Sequence, residues 1–485
     1  MVVVVRNTLP VSKKRVVFLK IMKFGGQGLK DGNAFVKVAN IILSEKDKRI
    51  VVLSAVAGVT NELVDFVKEI RVSPEEIKRL IQKIRSKHFE IILDAIDKKD
   101  TQGEVMGRFN EELQKLERLL YGVAYTEELT KRTKDFITSF GEIFAVMIME
   151  GVLISMDAGA KALRADRIGL LTDGVFGSAT ALLPETEKNF KKSVLPYVRK
   201  GTILVITGYF GADKEGRITT FGRNGSDYSA AVIANALNAD VLEVWKDVNG
   251  FMTGDPRMIQ TATRITELSY EEAAELAYFG AKILHPRTVE PVMQKEIPIV
   301  IRNVNDVRNP GTRVWTESKK QVGILKSVAI KNNVAMLRIY GAGAGYTSGI
   351  FSQIFKLLGD NGISVYSTAT SQTSFTIVIE AENAKKALSV LGTIRGGIVE
   401  DVTPFEKLSL ICLVGVGMKD AKGLAGRVFT AVANAGVNVE TISAGASRVA
   451  FNFIVKEGDK GKAARAVHDE FFENSSFKRS HKTRY

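Results

Sequence analysis

The stretch IMKFGGQGLK, residues 21–30, sets a lysine directly before two glycines at the end of an apolar run. Residues 15–22, RVVFLKIM, read as a strand that stops at the glycine turn, and the turn reads as a cradle for an anion. It is not a P-loop. That motif places its lysine after the glycine loop and follows it with a hydroxyl for magnesium, whereas Lys23 comes first and Gln27-Gly28 carry no hydroxyl. Four further runs, IVVLS (50–54), TILVIT (202–207), VLEVW (241–245) and PIVIR (298–302), have the continuous apolar character of strands buried on both faces. Helical patterns lie between them. One starts at Pro74 behind Ser73 and another at Tyr270 behind Ser269, both with acidic residues in the first turn. This alternation predicts an α/β layer fold with a mainly parallel sheet over residues 16–315. Residues 1–15 stand outside the pattern and are expected to be a weakly ordered extension.

The last third repeats itself. GAGAGYTSGIFSQIFKLLGDNGISV from Gly341 matches GVGMKDAKGLAGRVFTAVANAGVNV from Gly415, with Gly343, Gly349, Phe355, Gly362 and Val365 each answered 74 positions later. Each copy reads strand, glycine loop, amphipathic helix, glycine stop, strand. Ile350, Phe351, Ile354, Phe355 and Leu358 are expected on one helical face. A second strand (375–379 and 450–455) and a second helix follow in both copies. Two ferredoxin-like βαββαβ modules are expected, at 325–402 and 405–478.

Composition narrows the function. The chain has 485 residues with ordinary apolar (45%) and charged (25%) fractions, enough for several cores. The net charge of +14 is dispersed through mixed segments, which favours attraction of anionic small molecules over nucleic-acid binding. No secretory signal is recognised and no membrane role is expected. The lone Cys412, in SLICLVGVG, reads as a buried strand residue. Four histidines without metal-ligand spacing argue against a zinc enzyme. A cytoplasmic location fits.

Three more clusters carry chemistry. TTFGRNGSDYS, residues 219–229, leads into the helical AAVIANAL; Ser226 is a candidate N-cap there, and Arg223 suits a bidentate grip on a carboxylate or phosphate. WKDVNGFMTGDPR (245–257) follows one strand later, then FGAKILHP (279–286). In order, KFGG, LSAVAGVTN, SFGE, GRNGSDYSAA, WKDVNGFMTGDPR and FGAKILHP, ahead of two glycine-loop repeats, resemble the aspartate kinases over nearly the whole chain beyond the first fifteen residues.

The resemblance implies an amino-acid-kinase αβα sandwich followed by two ACT domains, the first commonly inserted within the second. It implies transfer of the ATP γ-phosphoryl group to the β-carboxylate of L-aspartate, giving 4-phospho-L-aspartate for lysine, threonine and methionine synthesis. A carboxylate nucleophile is already ionised and needs no general base, so catalysis is positioning and charge neutralisation. By this resemblance Lys23 and Asp227 are the catalytic pair, and Lys23, Gly25, Gly26, Lys246, Asp247, Met252, Arg257 and Lys282 meet ATP. Ser54, Thr60, Glu142, Tyr209, Arg223, Ser226 and Asp227 line the aspartate pocket, with Arg223 on the α-carboxylate and Glu142 and Asp227 near the α-ammonium. Mg2+ travels with ATP, since no carboxylate cage is visible. Gly343, Gly345, Ser348, Ser364, Ser371 and Gln372 are the effector candidates, for lysine or threonine. The ACT domains are expected to build a homodimer or homotetramer.

The chain also departs from the family pattern. Gln27-Gly28 stand for Thr-Ser, Asn224 for a glycine, Met252 for a tyrosine near adenine, and Ile143-Phe144-Ala145 follow SFGE. In the ACT modules Thr370-Ser371-Gln372 replaces Thr-Ser-Glu, and Tyr366 and Ala446-Ser447-Arg448-Val449-Ala450 are also atypical. Two other readings therefore stay open at the sequence level: a catalytically weakened amino-acid sensor, and a related carboxylate kinase.

Overall fold

The computed structural model describes residues 18–68, 73–280, 283–316, 325–341, 349–394, 399–418 and 421–473. The expected N-terminal extension lies outside them. The chain divides into two compact units, Met1–Asp247 with Gln294–Ile299, and Val248–Met293 with Val300–Tyr485.

In chain order the first unit holds β1 (Leu19–Phe24), α1 (Gly32–Ser44), β2 (Lys48–Leu53), α2 (Val59–Phe66), α3 (Pro74–Ala95), α4 (Lys99–Thr126), α5 (Lys131–Ser155), β3 (Ala160–Leu163), α6 (Leu183–Ser193), α7 (Leu195–Lys200), β4 (Ile203–Thr207), β5 (Phe210–Ala212), β6 (Ile218–Thr220), α8 (Gly225–Leu237) and β7 (Val241–Lys246). Five strands pair in parallel in the order β3-β4-β2-β1-β7. The unbroken apolar runs are there because these strands are covered on both faces: all five residues of β4 and Ile50–Leu53 of β2 are buried. The Ser73 signal is a full capping box, in which Ser73 Oγ accepts from Glu76 N–H and Glu76 accepts from Ser73 N–H. Helix α5 is long and apolar enough to cross a membrane by length and composition, yet 94% of its apolar window is buried inside the fold. It is the core helix of this unit, and it carries Glu142.

The second unit begins with β8 (Glu267–Ser269), α9 (Tyr270–Tyr278), α10 (Pro286–Met293), β9 (Ile299–Asn303) and β10 (Thr312–Trp315). The repeat follows as β11 (Ser327–Tyr340), α11 (Ile350–Asp360), β12 (Val365–Thr370), β13 (Ser374–Glu380), α12 (Ala384–Gly392), β14 (Asp401–Val414), α13 (Leu424–Asn434), β15 (Thr441–Ser443), β16 (Ala450–Lys456) and α14 (Lys460–His468). Its six strands form one antiparallel sheet, β12-β13-β11-β14-β16-β15.

The long strands β11 and β14 each serve both modules. Register shifts between Lys331 and Met336 divide β11. Its second half pairs with β13 and closes the first module over the core of Leu337, Ile354, Leu358 and Ile377. Its first half pairs with Leu410–Val414 and completes the sheet of the second module, whose core includes Val328, Ile411, Val428 and Val467. Residues 327–331, grouped at the sequence level with the first module, thus pair within the second. This is the insertion that the resemblance implies. The pairing is also symmetric: Ser327 faces Val414 and Tyr340 faces Asp401, and the 74-residue offset turns one pair into the other.

Two local readings are corrected. Ile350, Ile354 and Leu358 of α11 are buried, but Phe351 and Phe355 stay 38% and 40% exposed, with Phe375 against their edges. Asn224, not Ser226, occupies the N-cap position of α8, without a side-chain capping bond; Ser226 lies in the first turn. Cys412 is fully buried on β14, and burial pushes its thiol pKa up.

Candidate active site

The glycine turn leaves β1 at its C-terminal end, where ligands collect in open parallel sheets. Lys23, one residue before that end, is 5% exposed. Its Nζ lies 2.5 Å from Asp227 Oδ1, a tight ion pair without the alignment of a hydrogen bond. Asp227 Oδ2 accepts from Lys246 Nζ at 2.9 Å. One buried carboxylate therefore holds two ammonium groups, from the C-terminal ends of adjacent strands β1 and β7 and the first turn of α8. Burial alone would raise the pKa of Asp227; Lys23 and Lys246 outweigh it and hold it at about 2. Burial pushes Lys23 below its ordinary value, with Asp227 opposing.

Glu142 sits in the middle of α5, 2% exposed. Its Oε1 accepts the Ala55 N–H at 3.1 Å, the Ser226 side chain lies within hydrogen-bonding reach of the carboxylate, and Oε2 makes no well-aligned hydrogen bond. Burial raises its pKa from 4.5 to about 8, against the hydrogen bond from Ala55 and the charge of Lys23. An unsatisfied buried carboxylate oxygen is costly and suits a cationic ligand group.

Backbone approach explains two glycines. A Cβ on Gly26 would meet Ala55 O at 2.9 Å, and one on Gly208 would meet Ser226 Cβ at 2.7 Å and Leu53 O at 2.9 Å. The loops after β1, β2 and β4 close on α8 only because these positions lack side chains. Ser54 N–H donates to Phe24 O, joining the first two loops. Thr60, near the start of α2, lies against α5: its Oγ1 is 3.3 Å from where a Gly141 Cβ would stand. Tyr209 holds φ +72° and Asn224 φ +56°. Both are left-handed non-glycine residues, an outlier type that concentrates at functional sites. The Tyr209 hydroxyl, its pKa raised by burial, hydrogen-bonds the Thr138 and Thr220 side chains.

The structure thus brings Lys23, Asp227, Lys246, Glu142, Ser226 and the Ser54–Ala55 loop onto neighbouring elements of one unit. Arg223 is exposed in the loop just ahead of α8, and Asp247 is exposed just past β7. Met252 and Arg257 belong to the other unit. There Met252 O accepts from Ser327 Oγ, and the exposed Arg257 is held by Asp255 at 2.7 Å. Lys282, Gly343, Gly345 and Ser348 lie outside the described residues. Ser364, Ser371 and Gln372 are described, and Ser371 Oγ caps its own turn through Ser374 N–H.

The sequence reading missed Asp135. It is buried and accepts from Gly177 N–H, Thr220 N–H and Thr220 Oγ1, each at 2.8 Å, pinning α5 to β6. Burial raises its pKa. Its signal was available: it lies seven residues, two helical turns, before Glu142 on the same face.

Comparison with known proteins places this geometry. The amino acid kinase family model matches residues 19–303, and two ACT domain models match residues 329–393 and 411–471. Aspartokinase 1, chloroplastic, of Arabidopsis thaliana is 32% identical over 94% of this chain and 80% of its own length. The bifunctional aspartokinase/homoserine dehydrogenase of Buchnera aphidicola is 28% identical, and the chain spans 57% of it. Escherichia coli aspartokinase III in complex with aspartate and ADP (R-state) superposes with a TM-score of 0.82 at 29% identity, covering 94% of this chain and 100% of that one. The same enzyme with lysine and aspartate (T-state) gives 0.80 over the same shares. With the family model covering more than half of the chain and aspartokinases matching through both the kinase region and the ACT repeat, the chain belongs to the amino acid kinase family as an aspartokinase, an aspartate kinase regulated through its paired ACT domains.

Proposed function

We propose that Lys23, Asp227 and Lys246 carry phosphoryl transfer from ATP to the β-carboxylate of L-aspartate, and that Glu142 and Arg223 hold the amino acid. The observation that carries this is the Lys23–Asp227–Lys246 triad, in which Lys23 and Asp227 are buried and Lys246 is half-buried. Asp227 keeps both ammonium groups in place without a ligand. Charge that develops on the transferring phosphoryl oxygens then meets two fixed cations in a buried site, where electrostatic stabilisation is strong. The aspartate β-carboxylate attacks phosphorus as the bond to ADP breaks, and no proton moves. Gly25 and Gly26 let the backbone come close to the phosphates. Glu142 Oε2, without a well-aligned hydrogen bond, supports a role as receptor of the substrate ammonium. The exposed Arg223 supports a role on the α-carboxylate, with Ser54, Thr60, Tyr209 and Ser226 completing the pocket. Mg2+ enters with the nucleotide, bound by its phosphates. On the nucleotide side of this unit we assign Asp247.

An amino acid, lysine or threonine, is our reading of the effector, and a homodimer or homotetramer through the ACT modules our reading of the assembly. The exposed Phe351, Phe355 and Ile442 of those modules support such contacts. A cytoplasmic location is part of the same reading.

Hydroxamate trapping of acyl phosphate with Mg-ATP tests the catalytic assignment, with L-aspartate, L-glutamate and N-acetylglutamate offered in parallel. Product with L-aspartate alone, lost in Lys23→Ala, is expected. Undiminished product from Lys23→Ala refutes it.

A further inference from the structure

The described residues of the second unit close with a cluster that the kinase reaction does not use. After α14 the chain turns into a π-helix, Asp469–Glu473. In an α-helix a residue five positions on points to the far side. The wider i→i+5 turn brings it back to the starting face, and such turns concentrate at functional sites. His468, Asp469 and Glu473 accordingly converge: a ring nitrogen of His468 and one carboxylate oxygen from each acid all lie within 4.8 Å of one another.

His468 supplies an independent observation. It is 1% exposed, and its Nδ1 is buried without a hydrogen-bond partner. Its Nε2 lies 3.0 Å from Thr253 Oγ1, which also accepts the Thr263 N–H at 2.9 Å. With Nε2–H donated to Thr253, Nδ1 keeps a free lone pair on a ring that has two carboxylates within reach. A ligating histidine usually has this arrangement, one nitrogen for the metal and the other fixed by a second acceptor. The Phe472 ring stacks on the imidazole at 4.5 Å and fixes its plane.

We propose that His468, Asp469 and Glu473 bind a divalent transition-metal ion, with water completing its coordination. Two carboxylates match the double charge, and the imidazole selects Zn2+ or Co2+ over the Mg2+ that travels with nucleotide. The bound ion ties the end of the second ACT module to the Thr253 segment, both within this unit. The sequence shows no metal-ligand spacing because the set depends on the π-turn.

The test is calorimetric titration of the untagged full chain with Zn2+ in excess Mg2+ and without nucleotide, paired with the visible absorption of bound Co2+. One equivalent per chain is expected. Asp469→Asn/Glu473→Gln, which changes no residue of the kinase site and keeps His468, is expected to weaken binding at least tenfold and to lose the Co2+ band while circular dichroism and basal kinase activity are retained. Absence of saturable binding overturns the proposal, as does unchanged affinity in the double variant.

Discussion

Glu142 offers the sharpest test of the pocket, because its geometry predicts a pH dependence with a definite sign. Burial raises its pKa from 4.5 to about 8, and Oε2 makes no well-aligned hydrogen bond. In the ligand-free protein it is therefore mostly neutral at pH 7, with roughly a tenth of molecules ionised, and roughly a hundredth at pH 6. A substrate ammonium binds the ionised form, so apparent affinity falls in proportion to the competent fraction. The dissociation constant for L-aspartate should tighten about tenfold from pH 6 to 7 and about fivefold from 7 to 8, then level off. Binding at pH 7 should release about 0.9 proton per site. Isothermal titration in buffers of different ionisation enthalpy measures both. Glu142→Gln should remove the slope and weaken binding by about 1.5–3 kcal/mol, the usual worth of a hydrogen bond to a charged group. Stability carries the matching sign. Below pH 4.5 Glu142 is neutral in folded and unfolded chains; from there to pH 8 only the unfolded chain ionises. The ligand-free fold then loses up to about 1.4 kcal/mol per pH unit, about 5 kcal/mol in all. Aspartate affinity independent of pH between 6 and 8, or a slope that survives in Glu142→Gln, would refute the assignment.

Lys23→Ala should lower kcat by about 10²–10³, as loss of one preorganised charge-stabilising group does, with a smaller change in the KM for aspartate; steady-state kinetics read the split. Gly208→Ala should destabilise the first unit by about 1–3 kcal/mol in urea unfolding, since the added methyl meets Ser226 Cβ at 2.7 Å and Leu53 O at 2.9 Å. In the second unit, Lys326 and Glu272 form a buried pair at 2.8 Å, and Glu272 also accepts from Ser269 and Val416 N–H. Lys326→Met should cost about 3–5 kcal/mol by leaving that carboxylate without its cation, and a thermal transition unchanged from wild type would contradict it. Asn224→Gly should be neutral or slightly stabilising because φ is +56°, whereas Asn224→Val should cost about 1–2 kcal/mol or more, read by denaturant midpoint.

The sequence by itself determined the strands, the helix starts and the repeat, because these depend on short-range chemistry. Short unbroken apolar runs bounded by turn signals read as strands covered on both faces, Ser73 and Ser269 cap the nearest helix through residues three positions on, and a constant 74-residue offset survives any packing. It also carried the motif wording that led to Lys23, Asp227 and Glu142. Tertiary structure alone decided what depends on distant partners. Lys23, Asp227 and Lys246 become one electrostatic unit only when β1, β7 and α8 meet. Glu142 acquires its raised pKa from burial within α5, which its local sequence does not reveal. Residues 327–331 join the second module because their hydrogen-bond partners lie about eighty positions away, at Leu410–Val414. His468 and Glu473 share a face only because the backbone widens by one residue between them. Local propensity acts over a few residues, whereas charge, burial and strand pairing act through space and are settled only when the chain closes on itself.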